Sequence, residues 1–254
     1  MVRILDSILV DTRVKKEDIF TSVYGKESLL KDVTQKMIYE ETLQISNSRD
    51  HHSQGKILSK LDTVIEWDHL WNSVHNFLSS NEIKTAIWQQ LHLNFYTQFS
   101  YNKWHKKMDP CSICLNIPQS IFHIMLDCNL VNDIWQYIQP LLVKLYPLPI
   151  TDSEKVLGIV KNKPSSGILL RNWVTFLLRK VILEQEKVYF HKKTAPTIYN
   201  ILSKFEKSLH DEIRKIQIRY NHVNQTENFE KLICYKNVLC KRNINGKFEY
   251  IQLI

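Results

Sequence analysis

A mainly α-helical protein, with a cysteine-rich loop inserted between helices and a β-hairpin near the C-terminus, is the fold class this sequence predicts. Three observations point to it. Apolar residues recur at intervals of three and four over long stretches, three cysteines and a histidine crowd into residues 111–128, and β-rich runs flank Asn245-Gly246.

Within residues 1–55, "KESLLKDVTQKMIYEETL" places Leu29, Leu30, Val33, Met37 and Ile38 on one helical face. The polar, turn-rich "SNSRDHHSQG" (46–55) has no period and reads as a linker, with His51 and His52 solvated. Residues 1–55 are therefore expected to be an N-terminal helical appendage plus linker. Trp67, Leu70, Trp71, Val74, Phe77 and Leu78 predict a helix over about 61–78. Ser79-x-x-Glu82 matches a capping box opening a second helix, with Ile83, Ile87, Trp88 and Leu91 inward. The short "SSN" connection makes the pair antiparallel, with tryptophans at the seam.

Past the cysteines, "LVNDIWQYIQPLLVKLYP" keeps a helical period until Pro147 and Pro149, which bounds a loop-bearing helical domain at 56–160. A C-terminal region over 161–254 follows. The loop "NKPSSG" leads there into a helix over Ile168–Leu183, the most apolar long segment of the chain, which is expected to be buried. Thr194 and Pro196 announce a long amphipathic helix with Ile198, Ile201, Leu202, Phe205, Leu209, Ile213 and Ile216 inward. Its outer face carries Lys204, Lys207, Arg214, Lys215 and Arg219. Asn245-Gly246 is the pair favoured in two-residue hairpin turns.

With 254 residues, 44% of them hydrophobic, the chain can bury a core, which excludes disorder throughout. "MVRILDSILVDTR" lacks the length and cleavage pattern of a secretory signal, so an intracellular protein, nuclear or cytoplasmic, is expected. Arg171, Arg179 and Lys180 interrupt the most apolar segment, which is too short and too charged to span a membrane. Charge is divided unevenly. Residues 1–100 hold 11 basic and 13 acidic side chains, residues 101–254 hold 23 and 13, and the excess suggests a polyanionic partner.

Cys111-x2-Cys114-x8-His123-x4-Cys128 has the spacing of a metal site: a tight turn aims two thiolates at one ion, and the histidine and last cysteine complete a tetrahedron. Four protein ligands leave no open position for water, so structural Zn2+ is expected instead of catalytic zinc. Three clustered cysteines cannot all pair as disulfides. The alternative is a set of buried thiols beside a core histidine, which the apolar neighbours Ile121, Phe122, Ile124, Met125 and Leu126 permit. Cys234 and Cys240 read as separate core or surface thiols.

Just upstream, "HLNFYTQFSYNKWHKK" interleaves aromatic and basic residues. Tyr101 and Trp104 could stack on bases while Lys103, Lys106 and Lys107 neutralise phosphates, a composition suited to single-stranded or distorted nucleic acid. It equally suits aromatics packed beneath the loop and lysines in solvent.

The run "IWQQLHLNFYTQFSYNKWHKKMDPCSICLNIPQSIFHIMLDCNLVNDIW" resembles the zinc-binding region that follows the polymerase domain in reverse transcriptases of non-LTR retrotransposons. The correspondence runs through His92 and Thr97, Cys111 and Cys114, Gln119-Ser120, His123, Cys128 and Trp135, with Gln119 where that family has an acid. "SEKVLGI" and "LRNWVTFLLRKVILEQEK" extend it more diffusely over about residues 60–190. The resemblance implies engagement of RNA or DNA during target-primed reverse transcription.

No Tyr/Phe-x-Asp-Asp sequence and no P-loop occur, so neither polymerisation nor nucleotide hydrolysis is expected. Asp152, Glu154 and Lys155 lie close together, but no distant carboxylate completes a nuclease site. A non-enzymatic nucleic-acid-binding zinc module is the leading expectation. A zinc-stabilised scaffold whose basic helix grips an acidic protein is the alternative.

Overall fold

The computed structural model describes residues 20–23, 26–29, 52–61, 65–76, 80–93, 110–111, 113–161, 163–192 and 195–252. The chain divides into two compact units, 1–57 and 58–254. In the first, β1 (Phe20–Val23) pairs antiparallel with β2 (Lys26–Leu29), Val23 opposite Lys26. The helical reading that began at Lys26 is therefore corrected over Lys26–Leu29. A helical period of few residues is a weak signal beside a two-residue connection containing Gly25, which favours a hairpin. The rest of that stretch lies outside the described residues.

Helix α1 (His52–Leu61) begins inside the segment read as a linker. The helix expected over 61–78 is two elements, because Leu61 closes α1 and α2 runs Trp67–Asn76. Helix α3 (Asn81–Leu91) is capped by Ser80, whose Oγ accepts the Ile83 N–H at 3.3 Å. The cap thus lies one residue after the expected Ser79, and Glu82, shifted out of capping-box register, pairs with Lys180 at 3.2 Å. Ile83, Ala86, Ile87, Gln90 and Leu91 are buried on α3, but Trp88 is 46% exposed. Its ring stacks on His92, centroids 4.2 Å apart, outside the seam where it was expected.

Helix α4 (Asn129–Leu145) buries Leu130, Val131, Ile134, Trp135, Ile138, Leu141, Leu142 and Leu145. Pro140 lies inside it. Pro140 and Gln136, whose carbonyl has no N–H donor at Pro140, are both exposed. Short α5 (Asp152–Leu157), capped by the Thr151 hydroxyl, ends at Gly158 with φ +73°. A Cβ there would meet Asn172 Oδ1 at 2.8 Å, and Asn172 needs that position to bond both the N–H and C=O of Ile159.

Helix α6 (Ser166–Lys192) is the centre of the second unit, touched by α3, α4, the turn at His123–Asp127 and two C-terminal helices. Leu170, Trp173, Val174, Leu177, Leu178, Val181, Ile182 and Leu183 are all buried, as expected of the most apolar segment, and Arg171 and Arg179 are buried with them. At its start a Cβ on Gly167 would collide with the Leu145 carbonyl, so glycine permits the approach to α4.

Helix α7 (Ile198–His222), capped by Thr197, buries Ile201, Leu202, Phe205, Leu209, Ile213 and Ile216 against its neighbours. Ile198 is only half-buried. Helix α8 (Thr226–Ile233) adds Phe229 and Ile233 to the core. The hairpin pairs β3 (Cys240–Arg242) with β4 (Phe248–Tyr250). Its loop differs from the expected two-residue turn. The Asn243 N–H bonds the Lys247 carbonyl at 2.8 Å, the Gly246 N–H bonds the Asn243 carbonyl at 2.9 Å, and Gly246 has φ +74°. Glycine here supplies the left-handed residue that closes a three-residue loop.

Candidate metal centre

The first arm is a knuckle. Pro110 and Pro118 form an antiparallel bridge, the Cys111 N–H bonds the Ile117 carbonyl at 2.8 Å, and the Leu115 N–H bonds the Cys111 carbonyl at 2.9 Å. Leu115 takes φ +54° to turn the chain back. The Ile113 N–H points at Cys111 Sγ, 3.5 Å away, an orientation that favours a thiolate. Leu115 and Ile117 stand out at the tip, 65% and 44% exposed.

The second arm begins with Ser120, whose Oγ accepts the His123 N–H at 3.1 Å. His123–Asp127 then forms a π-type turn, closed by a Cys128 N–H bond to the His123 carbonyl at 2.8 Å. In an α-helix, residues five apart point about 140° away from each other. The wider turn reduces that angle, so the x4 spacing can direct His123 and Cys128 to one point. Trp135 Nε1 donates to the Met125 carbonyl at 3.1 Å, fastening this turn to α4, and Cys128 leads directly into that helix.

The geometry brings Cys111, Cys114, His123 and Cys128 together, their ligand atoms all within 4.8 Å of one another. Cys128 Sγ lies 3.9 Å from both Cys111 Sγ and Cys114 Sγ. Cys111, His123 and Cys128 are buried and Cys114 is half-buried. All the cysteines are free. Both ring nitrogens of His123 are buried without a hydrogen-bond partner. Each unsatisfied buried polar group costs about 1–3 kcal/mol, which a ligated ion would relieve at one nitrogen. The Cys111 thiol is drawn down to about 4, chiefly by the hydrogen bond it shares with Cys128, while that bond and burial push Cys128 up. Four donors of this chemistry, converging on one point, can hold a metal ion.

Beneath the knuckle, buried Gln119 donates through Nε2 to Glu186 Oε2 on α6. Burial, then the charge of Cys111, raises the Glu186 carboxyl to about 7 despite that hydrogen bond. A carboxylate at 119 would face Glu186 and repel it, whereas an amide can donate. Sequence reasoning missed Glu186. Nothing in the sequence sets it apart from Glu184, two residues before it.

Lys103, Lys106, Lys107, Tyr101 and Trp104 lie outside the described residues. Lys204, Lys207, Arg214, Lys215 and Arg219 are exposed on α7, but acids interrupt them. Lys204 donates to Gln185 Oε1 at 2.6 Å, Lys215 to Glu212 Oε1 at 2.7 Å, and Arg214 lies 4.0 Å from Asp211. All five basic residues lie along one helix of 25 residues. Glu154, the acid at the centre of the nuclease reading, is buried and bound to Arg171. Cys240 is buried and Cys234 half-buried. No helix among the described residues is long and apolar enough to cross a membrane.

No family model matches the chain, and neither a curated protein nor a solved structure does.

Proposed function

We propose that the protein is a nucleic-acid-binding module whose fold is held by one structural zinc ion. The observation carrying this reading is the four-ligand cluster standing at the head of the chain's basic part, residues 101–254 with 23 basic and 13 acidic side chains. Tetrahedral zinc with bonds of about 2.3 Å to sulfur spaces its sulfurs by about 3.8 Å, close to the 3.9 Å separations here. Cys111, Cys114, His123 and Cys128 would hold the ion. Saturated by protein ligands, it would brace the knuckle against the π-type turn and do no hydrolysis. The sequence resemblance to retrotransposon reverse transcriptases supports RNA or DNA as the partner, with Lys103, Lys106, Lys107, Tyr101 and Trp104 as the leading contacts. The role is non-enzymatic.

An acidic protein partner is the second reading. What favours it is the mixed character of the α7 face, where Tyr199, Glu206, Lys207, His210, Asp211 and Arg214 line one groove. Alternating charges match a folded protein surface better than a uniform row of phosphates.

Metal analysis of purified protein, followed by fluorescence-anisotropy titration of short RNA and DNA at several salt concentrations, tests the proposal. One zinc per chain and binding that weakens steeply with salt are expected. Metal-free, chelator-insensitive protein would remove the zinc assignment. Absence of nucleic-acid binding at low salt would leave the protein partner.

A further inference from the structure

We propose that Glu186 is the positioning residue of the metal centre, setting the spacing of its two ligand arms through Gln119. The proposal rests on the metal-binding reading of Cys111, Cys114, His123 and Cys128 and adds a residue 58 positions beyond the last ligand.

Gln119 occupies the junction of the arms. The residue before it, Pro118, closes the knuckle through its bridge to Pro110, and the residue after it, Ser120, caps the turn that carries His123. The second arm is anchored independently by the Trp135 bond to the Met125 carbonyl and by its continuation into α4. The knuckle is held across the core by the Gln119 side chain, 2% exposed, which reaches the Glu186 carboxylate on the central helix. Among the described residues, that amide is the hydrogen-bond partner found for Glu186, itself 8% exposed. Burying a carboxylate beside a cluster of thiols is unfavourable, and an aliphatic residue would fill the same space in α6 at lower cost. An acceptor facing the junction amide gives the carboxylate a purpose there: it orients Gln119 and so fixes the distance between the Cys111–Cys114 pair and the His123–Cys128 pair. Groups that orient ligands in this way commonly change metal affinity by about 10–100-fold when removed.

Cobalt(II) titration of the full chain under reducing conditions, in competition with a chelator, reads both affinity and the visible absorption of a tetrahedral thiolate–cobalt site. Glu186→Ala is expected to lower affinity by about 10–100-fold and to alter the absorption envelope. Glu186→Gln, which keeps an acceptor oxygen for Gln119, is expected to restore affinity to within a few-fold of wild type. Gln119→Ala leaves α6 intact, so it carries the test if Glu186→Ala does not fold, and it should show the same loss. Adding it to Glu186→Ala should cost little more, because the two act through one contact. Wild-type affinity and spectrum in both alanine variants would overturn the proposal, as would a Glu186→Gln variant no better than Glu186→Ala. Failure of the wild-type chain to take cobalt overturns the metal reading itself, an outcome separate from equal binding by wild type and variants.

Discussion

Arg171 and Glu154 form a buried two-bond ion pair: Nε donates to Oε1, and Nη2 donates to Oε2 at 2.8 Å. The remaining Nη1 reaches the carbonyls of Leu142, Tyr146 and Leu148 at 3.2, 2.6 and 2.6 Å, closing the C-terminal end of α4. One guanidinium thus adds hydrogen bonds to carbonyls at and just beyond a helix end and neutralises the acid on α5. Arg171→Ala would strand Glu154 in the interior and is expected to cost about 3–5 kcal/mol. Urea denaturation measures this. A loss below about 1 kcal/mol would mean that the pair contributes little to holding α4, α5 and α6 together.

Two helical turns on, Arg179 plays the same part without an acid. Its Nε donates to Gln90 Oε1 at 2.7 Å and its Nη1 to the Lys155 carbonyl at 3.0 Å and to the Val156 carbonyl, closing α5. Burial lowers this guanidinium to about 9, so it remains charged at neutral pH. Lysine offers a point charge and no planar fork, so Arg179→Lys should destabilise the protein almost as much as Arg179→Met. Thermal melts of the two variants decide this, and full rescue by lysine would show that charge alone suffices.

If the four-ligand centre binds zinc in the folded state only, chelation must lower the melting temperature. An ion present at a thousand times its dissociation constant stabilises by about 4 kcal/mol. The ligands bind as thiolates and neutral imidazole, so protons compete with the metal. Stability from the ion is therefore present at neutral pH and lost as pH falls. Cys114→Ser should reproduce the chelated melting curve, and zinc release on acidification can be followed with a metal-sensitive dye. Superimposable melts with and without chelator would exclude a stabilising ion.

The apolar side of α7 and its exposed side should respond differently to substitution. Leu209 is 1% exposed, whereas Lys207 faces solvent. Leu209→Asp places a carboxylate in the core and should cost at least about 3 kcal/mol; Lys207→Ala should change stability by no more than about 0.5 kcal/mol. Equal effects in urea denaturation would mean that α7 is not docked through this stripe.

Helices α6 and α7 were legible because their patterns run for many turns: the most apolar long segment in one, a single stripe announced by Thr194 and Pro196 in the other, although the cap itself is Thr197. The ligand cluster was legible because spacing alone states which residues can converge. What escaped was decided by partners distant in sequence. Arg171 and Arg179 read as interruptions of an apolar segment until α4 and α5 bring their carbonyls to them. Glu186 had no local signal that it would meet Gln119. Short elements escaped for another reason. Four residues at Lys26–Leu29 fit a helical face as easily as a strand, and Ser79 and Ser80 offer the same capping chemistry one position apart.

Two kinds of contact would combine in nucleic-acid binding, and salt separates them. Lysines touching phosphates release counterions, so the logarithm of affinity for a single strand falls with that of salt by about 0.7 per contact. Lys106→Glu together with Lys107→Glu should weaken binding and flatten this slope while leaving metal content unchanged. Trp104→Ala should lose about 1–3 kcal/mol of affinity if the indole stacks on a base, with the slope intact, because stacking displaces no counterion. Lys204→Glu with Lys207→Glu asks the same of α7, where Lys204 is already bonded to Gln185 and acids alternate with the cations. A flattened slope from the first pair and an unchanged slope from the second would place phosphate contacts at Lys106 and Lys107 and none at Lys204 and Lys207. Anisotropy titrations at four or more salt concentrations give every slope, and unchanged affinity in all three variants would place any nucleic-acid contact elsewhere on the chain.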